Sequence, residues 1–181
     1  MAFSDLPAEV AALYLRKEIH IDEIPAPQKL APAAYAISAD IALNDEEDLA
    51  TGRFVILHDP QGQEAWNGLY RCVTYIRSAI DEEIKDDPLL PDVAWSWFLE
   101  SLEKSGIDFR APSGTVTKVL SASFGELAQS ESSCEIEIRA SWTPVDPSNL
   151  IANVQAWLLL LEIVSGLTPL PDGALGLPLR R

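Results

Sequence analysis

Apolar and polar positions fall into two regimes along the chain, a two-residue alternation through its middle and a three-to-four-residue spacing elsewhere. Val10, Leu13, Tyr14 and Ile19 recur at helical spacing after Ser4-Asp5-Leu6-Pro7, which supplies a capping side chain and an early proline, so a helix is predicted over residues 6–18. Pro25, Pro27 and Pro32 remove backbone donors and make residues 25–32 an extended, proline-rich connector. Tyr35, Ile37, Ala39, Ile41 and Leu43 then alternate with smaller or polar residues, the period of a half-buried strand, although the many alanines leave helix open. Arg53 to His58 is a β-branched and aromatic run that reads as a second strand. Asp59-Pro60-Gln61-Gly62 has turn chemistry, so Leu69 to Arg77 becomes a third strand, antiparallel to the second.

The spacing lengthens again at Leu89, Leu90, Val93, Trp97 and Leu102, which form one stripe of a helix over 88–103 with Gly106 as its stop. Thr115 to Leu120 reads as a fourth strand. Cys134, Ile136, Ile138, Ala140 and Trp142 alternate with Glu135, Glu137, Arg139 and Ser141 in a fifth, one face core and the other solvent. Ser148 or Asn149 can cap a last helix at about 149–164, closed by Gly166 and followed by an irregular tail at 167–181. The expected architecture is one α+β domain over residues 1–181, an antiparallel five-stranded sheet with helices packed on it, in the order α-β-β-β-α-β-β-α. That order resembles the fold of type III secretion chaperones and related small adaptors, which are also acidic and usually dimeric, and the resemblance implies a binding role.

Composition narrows the function classes. With 48% hydrophobic and 23% charged residues in 181, the chain is a folded globule of one-domain size. A formal charge of −15 and a pI near 4.3 oppose any polyanion, so direct nucleic-acid binding is not expected. The same charge keeps a protein soluble and would help it meet a basic protein partner. Residues 1–5 carry no basic segment leading into an apolar one, and the apolar run Ala156 to Leu161 is too short to span hydrocarbon, so a cytoplasmic protein without membrane attachment is expected. Cys72 and Cys134, each inside a strand-like segment, fit reduced structural thiols better than a disulfide, with an oxidised pair left open.

Several segments together carry a family resemblance: Glu23 to Pro32, Ala50 to Pro60, Asp87 to Pro91 with Trp95-Ser96-Trp97, Gly114-Thr115-Val116-Thr117, and Arg139 to Pro144. Running nearly end to end, to the closing Arg180-Arg181, they resemble an uncharacterised actinobacterial family, domain of unknown function 3000. The resemblance implies a cytosolic actinobacterial protein and brings no activity and no catalytic residues.

Candidate chemistry is sparse. His20, His58, Cys72 and Cys134 stand singly, without the paired spacing of a zinc site, and the acidic run Asp45 to Asp48 lacks the alternating ligands and glycine of a calcium loop. Like Asp81-Glu82-Glu83, that run reads as solvated surface. Ser113-Gly114-Thr115 lacks the pattern of a phosphate loop and reads as turn geometry. His58-Asp59 at a strand end invites an acid/base reading, but the plainer one is that His58 caps the hairpin and Asp59 opens the turn. No serine or cysteine sits in a nucleophile elbow. Arg53, Arg71, Arg77 and Arg139 all lie in strands; sharing a face, they could hold an anionic ligand, although pairing with the excess carboxylates is the favoured reading. No catalytic, metal or cofactor site is therefore assigned.

The strongest signal is apolar excess. Trp95 and Trp97 stand roughly 200° apart around a helix axis, so one core face does not bury both. Leu158 to Leu161 makes the last helix apolar all round. Either the tail and connector fold back over these helices, or Trp95, Trp97, Trp157, Leu158 and Leu161 form an interface. The expectation is a non-enzymatic interaction or adaptor protein, as a homodimer and with a basic partner. The rival is an enzyme or small-ligand binder with a pocket at His58, Trp66 and Arg71.

Overall fold

The computed structural model describes residues 3–44, 47–81, 83–127 and 133–167. Two parts of the reading above lie outside them: most of the tail at 167–181, and Asp45, Glu46 and Glu82 of the acidic runs. The elements are α1 (Leu6–Ala11), β1 (Ile19–Glu23), β2 (Ala33–Asn44), β3 (Glu47–Gln63), β4 (Gly68–Ala79), α2 (Leu90–Lys104), β5 (Phe109–Ser121), β6 (Ser133–Pro144) and α3 (Leu150–Val164). The strands form one antiparallel sheet in the order β1-β2-β3-β4-β6-β5. Among the described residues no helix is long and apolar enough to cross a membrane.

The sheet has six strands instead of the five that the periodicity predicts. The extra one is β1, which begins just past the helix expected over 6–18, at Ile19, the residue that completes that helix's apolar spacing. That helix stops at Ala11, and Tyr14, assigned to its apolar stripe, is 59% exposed. Ile19 instead pairs with Ile41 and turns into the core, and Ile21 and Glu23 continue the ladder opposite Ala39 and Ile37. The order becomes α-β-β-β-β-α-β-β-α, which departs from the one on which the chaperone likeness was drawn.

The second correction concerns the hairpin. Asp59 to Gly62 does not reverse the chain: β3 runs through it to Gln63, and the reversal comes at a single 3₁₀ turn, Glu64–Trp66, closed by Asn67 at a φ of 55°. The turn chemistry of 59–62 survives as a bulge. Asp59 accepts from the Gln61 N–H at 3.0 Å, Gly62 has a φ of 73°, and the ladder with β4 skips from His58 to Gln63.

Alternation along each strand sends one set of side chains under the helices. Phe54, Ile56, Cys72, Ile76, Ile136, Ile138 and Trp142 occupy that face and are buried. Helix α3 lies on β2, β3 and β4 and is flanked by α1 and α2, which leaves only the side of Ile151, Gln155, Leu159 and Glu162 partly open. Phe54 stacks on Trp157 at 5.3 Å, and Phe98 of α2 reaches Trp142 at 5.5 Å. Two polar contacts fix α3 along the sheet: Trp142 Nε1 donates to Asn153 Oδ1 at 2.8 Å, and Ser78 Oγ donates to the Val164 carbonyl at 3.2 Å. All three helices lie on this one side, and among the described residues no helix covers the other face; bare of helices, it is open around Arg53 and Val73 and buried at Ala36, Leu57, Arg71 and Thr143.

At the β5 edge, a Cβ on Gly114 would fall inside contact distance of the Arg139 carbonyl and 3.0 Å from Trp95 Cζ3, so only glycine lets β5 lie against β6 while Trp95 crosses it. Gly114→Ala is expected to destabilise the protein by about 3 kcal/mol, because backbone rather than a flexible side chain must move. Urea unfolding checks this, and an unchanged midpoint would contradict the packing described.

Candidate functional site

The bare face carries the second set of alternating side chains, and the register lines them up in rows. One row runs Asp22, Ser38, Arg53, Tyr75, Arg139, Thr115 from β1 to β5, and the next runs Ala36, Val55, Val73, Ser141, Ser113. The four arginines singled out above, Arg53, Arg71, Arg77 and Arg139, therefore do share a face, and Arg110 of β5, opposite Thr143, lies on it as well. Two of them pair with carboxylates: Arg77 Nε donates to Glu135 at 2.9 Å, and Arg139 meets Glu137 at 2.9 Å while its guanidinium lies 4.9 Å from the centre of the Tyr75 ring. Tyr75 donates its hydroxyl to the same Glu137 at 3.1 Å; partial burial first, and that carboxylate second, raise the phenol above its ordinary pKa. Arg53 is exposed and, among the described residues, has no side-chain partner.

Arg71 differs from all of these. Only 8% exposed, it donates through Nη1 to the Ala111 carbonyl and Thr143 Oγ1, both at 3.0 Å, and through Nη2 to Ser113 Oγ at 3.0 Å and Ser141 Oγ at 2.7 Å. Its acceptors are all neutral. Burial pulls its pKa below the ordinary arginine value, though a guanidinium keeps its charge in protein. These bonds hold the irregular start of β5, where Ala111 sits at a φ of 49° and the ladder with β6 skips from Arg110 to Ser113. Thr143 Oγ1, accepting from Arg71, donates to the Trp66 carbonyl and so ties the hairpin end into the same network.

Over these hydroxyls lies a shallow trough of about 310 Å³, lined among others by Val73, Ser113, Thr115, Arg139 and Ser141. Two of its hydroxyls, Ser113 and Ser141, already accept from the Arg71 guanidinium. That chemistry suits an anion; a guanidinium beside a serine oxygen is no base to activate it.

The residues expected to form a ligand pocket do not converge. His58 lies on the helix side, its ring stacked on Tyr70 at 4.3 Å and 5.3 Å from Phe3. Tyr70 and Arg71 are consecutive in β4 and so point to opposite faces, which separates His58 from Arg71 by the thickness of the sheet. Trp66, 9% exposed, meets the Arg71 network only through its carbonyl and Thr143.

Of the residues expected at an interface, Trp157, Leu158 and Leu161 are 1%, 7% and 0% exposed, enclosed by this chain's own sheet and helices. Trp95 and Trp97 are both half-buried against the core, because α2 lies between α3 and β5 and is covered from two sides. Trp95 sits over Gly114 and 4.8 Å from Phe98. None of the five forms a free apolar surface.

Cys72 and Cys134 are free and buried, and the open alternative of a disulfide is excluded by register. Cys72 lies opposite Trp142, eight residues along β6 from Cys134 and hence about 26 Å away. Burial pushes the Cys72 thiol far up, so it is inert. Among the described residues no three His, Cys, Asp or Glu side chains group closely enough to hold a metal ion. What the sequence reading missed are the partners of Arg71, namely Ser113, Ser141 and Thr143; the alternation of β6 placed Ser141 on the bare face, but nothing local connects it to Arg71.

Residues 1–174 match the family model described as a protein of unknown function, DUF3000, and the chain belongs to that family. No curated protein and no solved structure matches it.

Replacing Arg71 with Met removes four donors and leaves the Ala111 carbonyl and three hydroxyls without their partner. Arg71→Met is expected to lower stability by about 3 kcal/mol and to raise amide exchange at 109–113. Urea unfolding with hydrogen exchange tests both; unchanged protection at the bulge would show that Arg71 does not hold it.

Proposed function

We propose that this DUF3000 protein is a non-enzymatic adaptor of the cytosol, which holds a basic protein partner on the bare face of its sheet. The observation that supports this is the charge pattern. On that face Arg53, Arg71, Arg77, Arg110 and Arg139 stand against Asp22, Asp40, Asp48, Glu135 and Glu137, so these paired positions add nothing to the net charge of −15. The acidity belongs to the rest of the surface, which draws a basic protein in at long range, and the balanced face is where such a protein can seat without a one-sided field. The helical side, with Trp157 and Leu161 enclosed, offers no comparable surface, so the reading needs no second copy there.

The test is affinity capture from native cytosol by three forms of the full chain: wild type, Asp22→Lys/Val73→Lys on the sheet, and Glu103→Lys on the exposed side of α2. The expected result is one basic protein at stoichiometric level, retained by the α2 variant and reduced about tenfold by the sheet variant and by high salt. A partner captured equally by the sheet variant would refute the docking face, and capture of nothing by wild type would refute the adaptor.

A further inference from the structure

Arg71 is the side chain that the fold accounts for least. A planar fork with donors at both ends explains why an arginine, rather than a lysine, reaches Ala111, Thr143, Ser113 and Ser141 at once. Shape does not explain charge. Buried charges are ordinarily paired, and this chain has 28 acidic residues, yet among the described residues no carboxylate pairs with this guanidinium, which is 8% exposed. The nearby Glu137 is engaged by Arg139 and Tyr75.

The serines carry the argument to the surface. Arg71 Nη2 donates to both Ser113 Oγ and Ser141 Oγ, which are 3.3 Å apart. Each oxygen is occupied as an acceptor, so each hydroxyl proton is left to donate. One can be spent on the other serine; the second has no acceptor in the pair and is available to the trough above it. Arg139 lines the same trough, with its guanidinium over the neighbouring Tyr75 ring, and the volume of about 310 Å³ lies at the lower end for a small-molecule site.

We propose that this trough binds a small free anion through a carboxylate or phosphate group, held by the hydroxyls of Ser113 and Ser141, with Arg71 as the counter-charge behind them and Arg139 at the rim. The anion completes the charge that the fold leaves unpaired. This goes beyond the adaptor reading and requires no protein partner. Because the trough is shallow and open, affinity is modest, with a dissociation constant on the order of 1 mM.

The experiment is a titration of the purified full-length chain with inorganic phosphate and, separately, with acetate, at constant ionic strength against chloride, following the side-chain nitrogen resonances of Arg71 and Arg139. A saturable shift with at least one anion is expected, and the two arms separate phosphate from carboxylate recognition. Ser113→Ala/Ser141→Ala should weaken binding about tenfold, whereas Arg77→Gln, on the same face but paired with Glu135, should leave it unchanged. Should the double variant fail to fold, Arg139→Gln at the exposed rim decides the matter: weakening supports the site and unchanged affinity overturns it. Shifts that stay linear with both anions, or a double-alanine variant binding as tightly as wild type, would also overturn it. The titration uses the chain alone, so its failure leaves partner capture untouched, and failed capture leaves the titration untouched.

Discussion

Burial of α3 sets the rest of the architecture. A helix with Ala156-Trp157-Leu158-Leu159-Leu160-Leu161 at its centre has only a narrow side, at Gln155 and Glu162, to give to water, so it needs neighbours round most of its circumference. The sheet supplies one side, with Phe54 stacked on Trp157 and Gly52 letting Leu161 come within 3.0 Å of where a Cβ would stand. The remaining sides must come from α1 and α2, which is why all the helices collect on one face. The fit is close enough to tolerate an unpaired indole: among the described residues Trp157 Nε1 is buried without an acceptor, a defect of about 1–3 kcal/mol set against the area the ring buries. With every helix committed to α3, none is left for the opposite face.

That face therefore reads as a consequence of core packing, and its chemistry is legible for the same reason. The alternation of β3, β4 and β6 dictated that Arg53, Arg71, Arg77 and Arg139 would share a side once the register was right, and the register followed from the apolar positions. The long strands and the two long helices were visible because each repeats its pattern over at least three periods. Strand β1 was not: Ile19 and Ile21 are only two apolar positions, and Ile19 also completes a helical spacing with Val10 and Leu13. The hairpin end was misread because Asp59-Pro60-Gln61-Gly62 has the residues of a turn, and whether such residues reverse a strand or bulge it depends on the partner strand.

The sequence named two kinds of site residue and could complete neither. It located the apolar excess at Trp157, Leu158 and Leu161 correctly, but periodicity says how much surface a helix must bury and not whose surface buries it. It singled out Arg71 with His58 and Trp66, neighbours in the chain, whereas the side-chain acceptors of Arg71 lie 42 to 72 residues away in β5 and β6. Those partners are a threonine and two serines, residue types with no pattern of their own. A buried cation satisfied by neutral hydroxyls from distant strands leaves no trace in a linear reading.

The net charge and the arginine cluster act at different ranges, and this decides which anions the protein can accept. At physiological ionic strength charges are screened over ~8 Å, so the −15 spread over the surface reaches the trough as a weak, diffuse repulsion. Arg71, by contrast, lies one hydroxyl away from anything bound at Ser113 and Ser141, in surroundings that water screens poorly. For a single carboxylate or phosphate the near term is the larger. A nucleic acid would place many phosphates outside the trough, each against the acidic surface and none against Arg71, so the far term accumulates while the near one is counted once. Arg77 changes little in this balance, since it is about half exposed and already engaged by Glu135. Selectivity for small anions over polymers thus follows from having one cation buried and unpaired in a protein whose other charges are solvated and mostly negative.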